Sequence, residues 1–118
     1  MLRRTGGAFL GRTTRVTEAE LQEAVVGVAR TLGWRVAHVR PARTEKGWRT
    51  AWSYDGKGFV DLTLVREWRL LFVELKGERG KVAPEQQGWL DALDETPNEV
   101  HVWRPRDWLD GTVERVLR

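Results

Sequence analysis

Two carboxylates and a lysine stand where strands ought to be wholly apolar. In residues 70–76 (LLFVELK) side chains alternate between faces, so Leu71, Val73 and Leu75 share one face, while Leu70, Phe72, Glu74 and Lys76 share the other. Both faces begin apolar, and Glu74 and Lys76 mark where one of them opens onto a polar site. Asp61 interrupts the preceding apolar run, residues 59–65 (FVDLTLV), in the same way. An unpaired charge buried in such a place is costly, so the three groups need a counter-ion, a metal or one another.

Neighbouring strands lie about 4.8 Å apart, so Asp61 and Glu74 reach a common cation if the hairpin register sets them side by side. The natural partner is a hard divalent ion, Mg2+ or Mn2+. Mg2+ takes oxygen ligands, keeps several waters and is commonly held by one or two carboxylates together with substrate phosphate oxygens. Such an ion makes water a competent nucleophile near neutral pH. Lys76 beside it would orient or activate that water and offset charge developing on the phosphate. The chemistry is phosphodiester hydrolysis. The plainer reading is a Glu74–Lys76 pair that neutralises itself at a strand end, since Glu-x-Lys is a common tripeptide. Against it stands the order of elements: a helix before, Asp61 on the paired strand, and a glutamine-bearing helix after.

Those elements are legible in turn. Thr17 and Glu20 form a possible capping box, and Leu21, Val25, Val28 and Leu32 recur at helical spacing, which predicts a helix over 18–32 stopped by Gly33. Residues 34–39 (WRVAHV) read as a strand ended by Pro41. Residues 41–58 hold Pro41, Gly47, Gly56 and Gly58 among polar and basic groups and read as a long irregular connection. The two apolar runs then form a hairpin across residues 66–69. A charged link over 77–82 leads to a helix from Pro84 to about Leu93, broken by Pro97 and Asn98. A strand over 99–103 and a terminal helix over 107–117, with Leu109, Val113, Val116 and Leu117 inward, complete the order: helix, three strands, helix, strand, helix.

Composition bounds the rest. A chain of 118 residues suits one domain, with 1–16 expected as a flexible segment and 17–118 as the folded unit. No window approaches the roughly 18 apolar residues of a membrane span, and nothing near the start reads as a signal peptide. Cysteine is absent, which excludes thiolate metal sites and cysteine nucleophiles and suits the cytoplasm of a bacterial or phage-infected cell. Two distant histidines, His38 and His101, give little support for zinc or a histidine-based triad, and Ser53, the only serine, lacks an elbow context. The TGGAFLG segment lacks the Lys-Ser/Thr of a phosphate loop.

The net charge of +3 is modest, but its distribution is not even. Arg30, Arg35, Arg40, Arg43, Lys46, Arg49 and Lys57 face only Glu45 and Asp55 in the same stretch, interleaved with Trp34, Trp48, Trp52 and Tyr54. Arg40, Arg43, Lys46, Trp48, Arg49 and Trp52 are the expected DNA contacts, cations for phosphates and indoles for bases. Trp34, Trp89 and Trp103 lie in regular elements and are expected to pack.

The run GFVD at 58–61, twelve residues, ELK at 74–76 and then PEQQGWL at 84–90 resembles the virus-type replication-repair nuclease (VRR-NUC) domain of the PD-(D/E)xK superfamily. More distantly it is similar to archaeal Holliday junction resolvases. The likeness runs from Thr17 to Leu117, with Val60 in place of the motif's proline. It implies an α/β, restriction-endonuclease-like fold, a central mixed sheet flanked by helices. It assigns catalysis to Asp61, Glu74 and Lys76, with the Leu75 backbone carbonyl among the metal ligands. A helix-borne acid completes the set; Glu20 is the first choice, with Gln22, Glu23 and Glu18 behind it, and helical spacing does not separate them. Gln86 matches a polar residue that such folds present from the second helix. The activity implied is Mg2+- or Mn2+-dependent endonucleolytic cleavage of branched DNA such as four-way junctions, by a homodimer serving DNA repair, with no organic cofactor and no membrane. The rival readings are a non-catalytic nucleic-acid-binding module of the same fold and a flap- or sequence-selective nuclease.

Overall fold

The computed structural model describes residues 16–39, 42–44, 47–49 and 52–118. Helix α1 (Glu18–Thr31) starts at the capping box: Thr17 Oγ1 accepts from the Glu20 N–H at 3.1 Å, and the Glu20 carboxylate accepts from the Thr17 N–H at 3.0 Å. Its Leu21, Val25 and Ala29 are buried. Gly33 ends the turn that follows in the left-handed region at φ 91°, where a side chain would be strained.

After α1 come β1 (Arg35–His38), β2 (Ala42–Thr44), β3 (Gly47–Arg49), β4 (Leu62–Arg66) and β5 (Arg69–Leu75). Then follow α2 (Pro84–Asp94), β6 (Glu99–Trp103), α3 (Pro105–Leu109) and α4 (Thr112–Leu117). The main sheet has the order β1-β4-β5-β6. β1 and β5 run antiparallel to β4, while β6 runs parallel to β5, so the sheet is mixed. A parallel neighbour requires a crossover, and α2 supplies it.

One face of the sheet carries Leu62, Leu64, Leu71, Val73 and Leu75, which pack with Leu21, Val25, Val113 and Leu117 from α1 and α4 into the main core. The opposite face is covered by α2. There Phe72 meets Phe59 edge-on at 6.1 Å, and Phe59 meets Trp89 at 4.9 Å. Alternation along β5 thus sends its odd positions to the core and Phe72 and Glu74 toward α2. At the far end of the sheet Trp34 Nε1 donates to the Leu117 carbonyl at 2.9 Å and Arg66 stacks over the Trp34 ring at 4.6 Å, which ties down the last helix. Among the described residues no helix is long and apolar enough to cross a membrane.

Three expectations need correction. The connection over 41–58 is not wholly irregular: β2 and β3 pair as a small antiparallel sheet, with Thr44 opposite Gly47. Strands of three residues carry no hydrophobic alternation to announce them. The terminal helix is two short ones, because Gly111 takes φ 86° and Asp110 Oδ1 accepts from the Thr112 N–H at 2.9 Å, an Asp-Gly turn that breaks the helical course. Leu109, just before that break, is exposed. Val16, assigned to the flexible segment, is buried, whereas residues 1–15 lie outside the described part.

Candidate active site

The β4–β5 ladder ends at the Leu62–Val73 pair, and Asp61, the residue just before β4, lies at the end of β5 close enough to Glu74 and Glu18 to raise the pKa of both. Asp61 Oδ2 accepts from the Leu75 N–H at 2.8 Å. A strand residue turns its N–H and C=O to the same edge, so the Leu75 carbonyl also faces the Asp61 side.

Glu74 is held from α2. Its Oε2 accepts from Gln86 Nε2 at 2.8 Å and lies 3.6 Å from Lys76 Nζ. Gln86 in turn accepts from the Ala83 N–H through Oε1 at 2.8 Å, closing the first turn of α2. The Glu74 side chain is 2% exposed and that of Lys76 13%. Glu74 Oε1 is the one buried side-chain oxygen or nitrogen among the described residues without a hydrogen-bond partner.

The electrostatics of this carboxylate run against its ionised form. Burial raises the Glu74 pKa most, the neighbouring Asp61 raises it further, Lys76 draws it back, and Glu18 adds to the rise; the result is about 7. Glu18 is itself raised, by burial first and by Asp61 next, against the lowering effects of Lys76 and of the Gly77 N–H that bonds to it. Three carboxylates therefore surround one ammonium, and the cluster lacks positive charge. Among the described residues no three His, Cys, Asp or Glu groups converge tightly enough to form a metal cage by themselves. Mg2+ asks for less, since one or two carboxylates and water suffice. The unpartnered Glu74 Oε1 and the nearby Asp61 fit a divalent cation.

On α1 the carboxylate near Asp61, Lys76 and the Gly77 N–H is that of Glu18, placed behind Glu20 from the sequence. Glu20 is committed to Thr17, where its Oε1 accepts from both the backbone N–H and Oγ1 at 3.0 and 3.2 Å. The capping box employs the third residue after Thr17 and leaves the first to turn toward Gly77. Gln22 and Glu23 line a groove between α1 and β1 with Arg30 and His38.

Of the expected DNA contacts, Arg40 and Lys46 lie outside the described residues. Arg43, Trp48 and Arg49 hold positions in β2 and β3. Trp52 is 40% exposed, and Tyr54, one of the aromatics in the basic stretch, is exposed at a left-handed φ of 56°.

Sequence reasoning missed Arg104. Its Nη1 donates to the Gly77 carbonyl at 2.8 Å and the Gly80 carbonyl at 2.7 Å, and Arg106 Nε pairs with Glu78 at 2.8 Å. The loop after Lys76 is thereby fixed. The signal appears only once β6 is known to lie parallel to β5, since the Leu75–Trp103 pairing puts Arg104 beside that loop.

The family model of the VRR-NUC domain matches residues 15–107, a span containing Glu18, Asp61, Glu74, Lys76, Gln86 and Arg104. Neither the curated proteins nor the solved structures give a match. A four-stranded mixed sheet flanked by helices is compatible with the PD-(D/E)xK nuclease fold, whose enzymes generally use divalent metal ions.

Proposed function

The chain belongs to the VRR-NUC family of nuclease domains, and we propose that it is a divalent-metal-dependent endodeoxyribonuclease centred on Asp61, Glu74 and Lys76. The observation that carries this reading is the Glu74 carboxylate, buried with one oxygen unpartnered among the described residues, with Asp61 beside it and burial the first cause of its raised pKa. Asp61, Glu74 and the Leu75 carbonyl would hold the metal, with Glu18 the acid from α1. All these donors are oxygen, the preference of Mg2+ and Mn2+. When bound, such an ion lowers the pKa of water and polarises the phosphate.

The chain's own groups do the rest. Lys76, anchored at the strand end by its N–H to the Trp103 carbonyl at 3.0 Å, brings an ammonium to the phosphate and to the attacking water. Gln86 fixes the direction of the Glu74 carboxylate. Arg104 holds the loop that carries the Gly77 N–H to Glu18.

The substrate we infer is branched DNA, four-way junctions first. One domain has one site, and concerted cutting of two strands requires two, so the working form is a homodimer. Arg40, Arg43, Lys46 and Arg49 would meet phosphates: their replacement by Ala should weaken binding and flatten its dependence on salt. The deciding experiment is a panel of labelled single-stranded, duplex, flap, splayed-arm and four-way-junction DNA with Mg2+, Mn2+ or EDTA, run beside sedimentation. Cutting in EDTA would overturn the metal reading. A monomer that cuts all substrates equally would overturn the junction reading.

A further inference from the structure

Between the turn before Asp61 and the outer side of α2 lies a depression of about 460 Å³, lined by Asp55, Lys57, Glu85, Gly88, Trp89 and Ala92. Its aromatic wall is held in place. Trp89 Nε1 donates to the Asp55 carbonyl at 2.9 Å, and Phe59 meets the indole edge-on at 88°.

Gly88 lines the same depression. It sits inside α2, where glycine is less favourable than alanine by about 1 kcal/mol, and nothing stands within 4 Å of where its Cβ would be. No contact among the described residues requires a glycine there. The room it leaves belongs to the depression, and Ala92, one helical turn on, keeps the same wall low.

The opposite wall is built to stay where it is. Gly58, at φ 87°, lies so close to α2 that a Cβ would come 2.6 Å from the Glu85 carbonyl carbon. Gly56 N–H bonds to the Ser53 carbonyl and Phe59 N–H to the Gly56 carbonyl, both at 3.0 Å. At the rim Lys57 Nζ lies 3.9 Å from Glu85, with both side chains well exposed.

Both walls of this depression run directly into residues of the candidate active site. Glu85 precedes Gln86, whose amide holds Glu74, and the turn continues through Phe59 and Val60 into Asp61. A ligand here that is continuous with a phosphate at the site, flat, and polar at its edge is a nucleobase. The Trp89 indole offers it an aromatic surface and Lys57 a cation for the backbone. The Glu85 carboxylate at the rim accepts hydrogen bonds but cannot donate them, which suits the two-hydrogen exocyclic amino groups of adenine, cytosine and guanine better than the single N3–H of thymine. A base stacked and paired within a duplex has no free face to present.

We propose that the depression is a subsite for an unpaired nucleobase of the DNA being cut, favouring the amino-bearing bases adenine, cytosine and guanine over thymine. It rests on the nuclease reading and makes that reading specific: the scissile phosphate lies at the branch point, where a base can leave its pair.

Binding of the full-length protein to splayed-arm DNA in EDTA tests this without cleavage. One arm position at a time, counted from the branch, carries 2-aminopurine, cytosine, thymine or an abasic nucleotide. At one position 2-aminopurine fluorescence should be quenched, cytosine should bind more tightly than thymine, and the abasic nucleotide should weaken binding roughly tenfold. Gly88→Leu fills the depression with a better helix former. It should erase this base dependence while melting at or above the wild-type temperature. Equal affinity for base and abasic nucleotide at every position overturns the proposal, as does base dependence that survives in Gly88→Leu; thymine binding as well as cytosine overturns the preference. Cleavage with Mg2+ is scored separately, so a protein that reads the base but does not cut would sink the nuclease reading alone.

Discussion

Gln86 and Glu74 grip one another across the candidate site: the amide nitrogen donates to Glu74 Oε2 at 2.8 Å, while the amide oxygen takes the Ala83 N–H at 2.8 Å. One side chain thus caps a helix and aims a carboxylate. The start of α2 sets where Glu74 Oε2 lies, and the remaining oxygen, Oε1, has no hydrogen-bond partner among the described residues.

Gln86→Ala removes both bonds. Loss of a group that orients a ligand typically costs about 10–100-fold in metal affinity or activity, and loss of a helix cap about 1 kcal/mol of stability. Cleavage should therefore fall far more than stability does. Metal titration and a thermal melt on the same protein separate the two effects. Unchanged cleavage and metal affinity in a folded variant would reduce Gln86 to a helix cap.

The pH dependence follows from the raised pKa of Glu74. An unfolded glutamate titrates near 4.5, whereas the folded group titrates near 7. Between these values the folded protein binds the extra proton, so metal-free stability falls as pH rises from the lower value to the upper and then levels. A cation must displace that proton, so metal affinity and cleavage rise through the same window. Melting curves with Mg2+ and with EDTA across about pH 4 to 8.5 should diverge as pH increases. Glu74→Gln should lose the contribution of this group; an EDTA profile identical in wild type and variant would contradict the shift.

Glu18 and Glu20, two residues apart on α1, should behave oppositely. Glu18→Gln keeps the shape but removes a charge beside Asp61 and Lys76, so metal binding weakens and stability at neutral pH holds or improves. Glu20→Ala breaks the capping box and costs about 0.5–2 kcal/mol, with cleavage retained in the folded fraction. Isothermal titration with Mn2+ and melts of both variants decide it. Metal binding lost in Glu20→Ala and kept in Glu18→Gln would restore Glu20 as the acid.

The pair Asp61 and Glu74 was legible because alternation and strand spacing are local rules: a carboxylate at the wrong phase of an apolar strand announces a site before any tertiary contact is known. The capping box fixed the start of α1 for the same reason, and it occupies Glu20 rather than Glu18. Arg104 was not legible, since its role depends on β6 lying parallel to β5, a pairing that spans 28 residues between Leu71 and Glu99. The break at Gly111 was written as Asp110-Gly111, yet the apolar spacing of Leu109, Val113, Val116 and Leu117 continued helically across it and masked the turn. In β2 and β3, three residues each are too few for any period to register.

The sharpest prediction separates binding from chemistry at the two carboxylates. Asp61 and Glu74 place negative charge where the phosphate must come, and without metal that charge repels DNA. Asp61→Asn and Glu74→Gln should abolish metal-dependent cleavage while leaving metal-free DNA binding equal or tighter. Asn can still accept the Leu75 N–H that Asp61 accepts at 2.8 Å, so the fold need not shift. Lys76→Ala removes the one ammonium instead. Cleavage should drop by orders of magnitude with metal binding retained, and DNA affinity should weaken slightly, because a cation near the phosphate is gone. A Glu74–Lys76 pair that serves only to stabilise the strand end demands the reverse. Breaking it from either side would leave a buried charge unpaired, so both variants would melt lower and whatever fraction stayed folded would cut as before. Melts by circular dichroism, metal-free affinities and cleavage rates on the same preparations distinguish the two, and wild-type cutting by a well-folded Glu74→Gln protein would remove Glu74 from the active site.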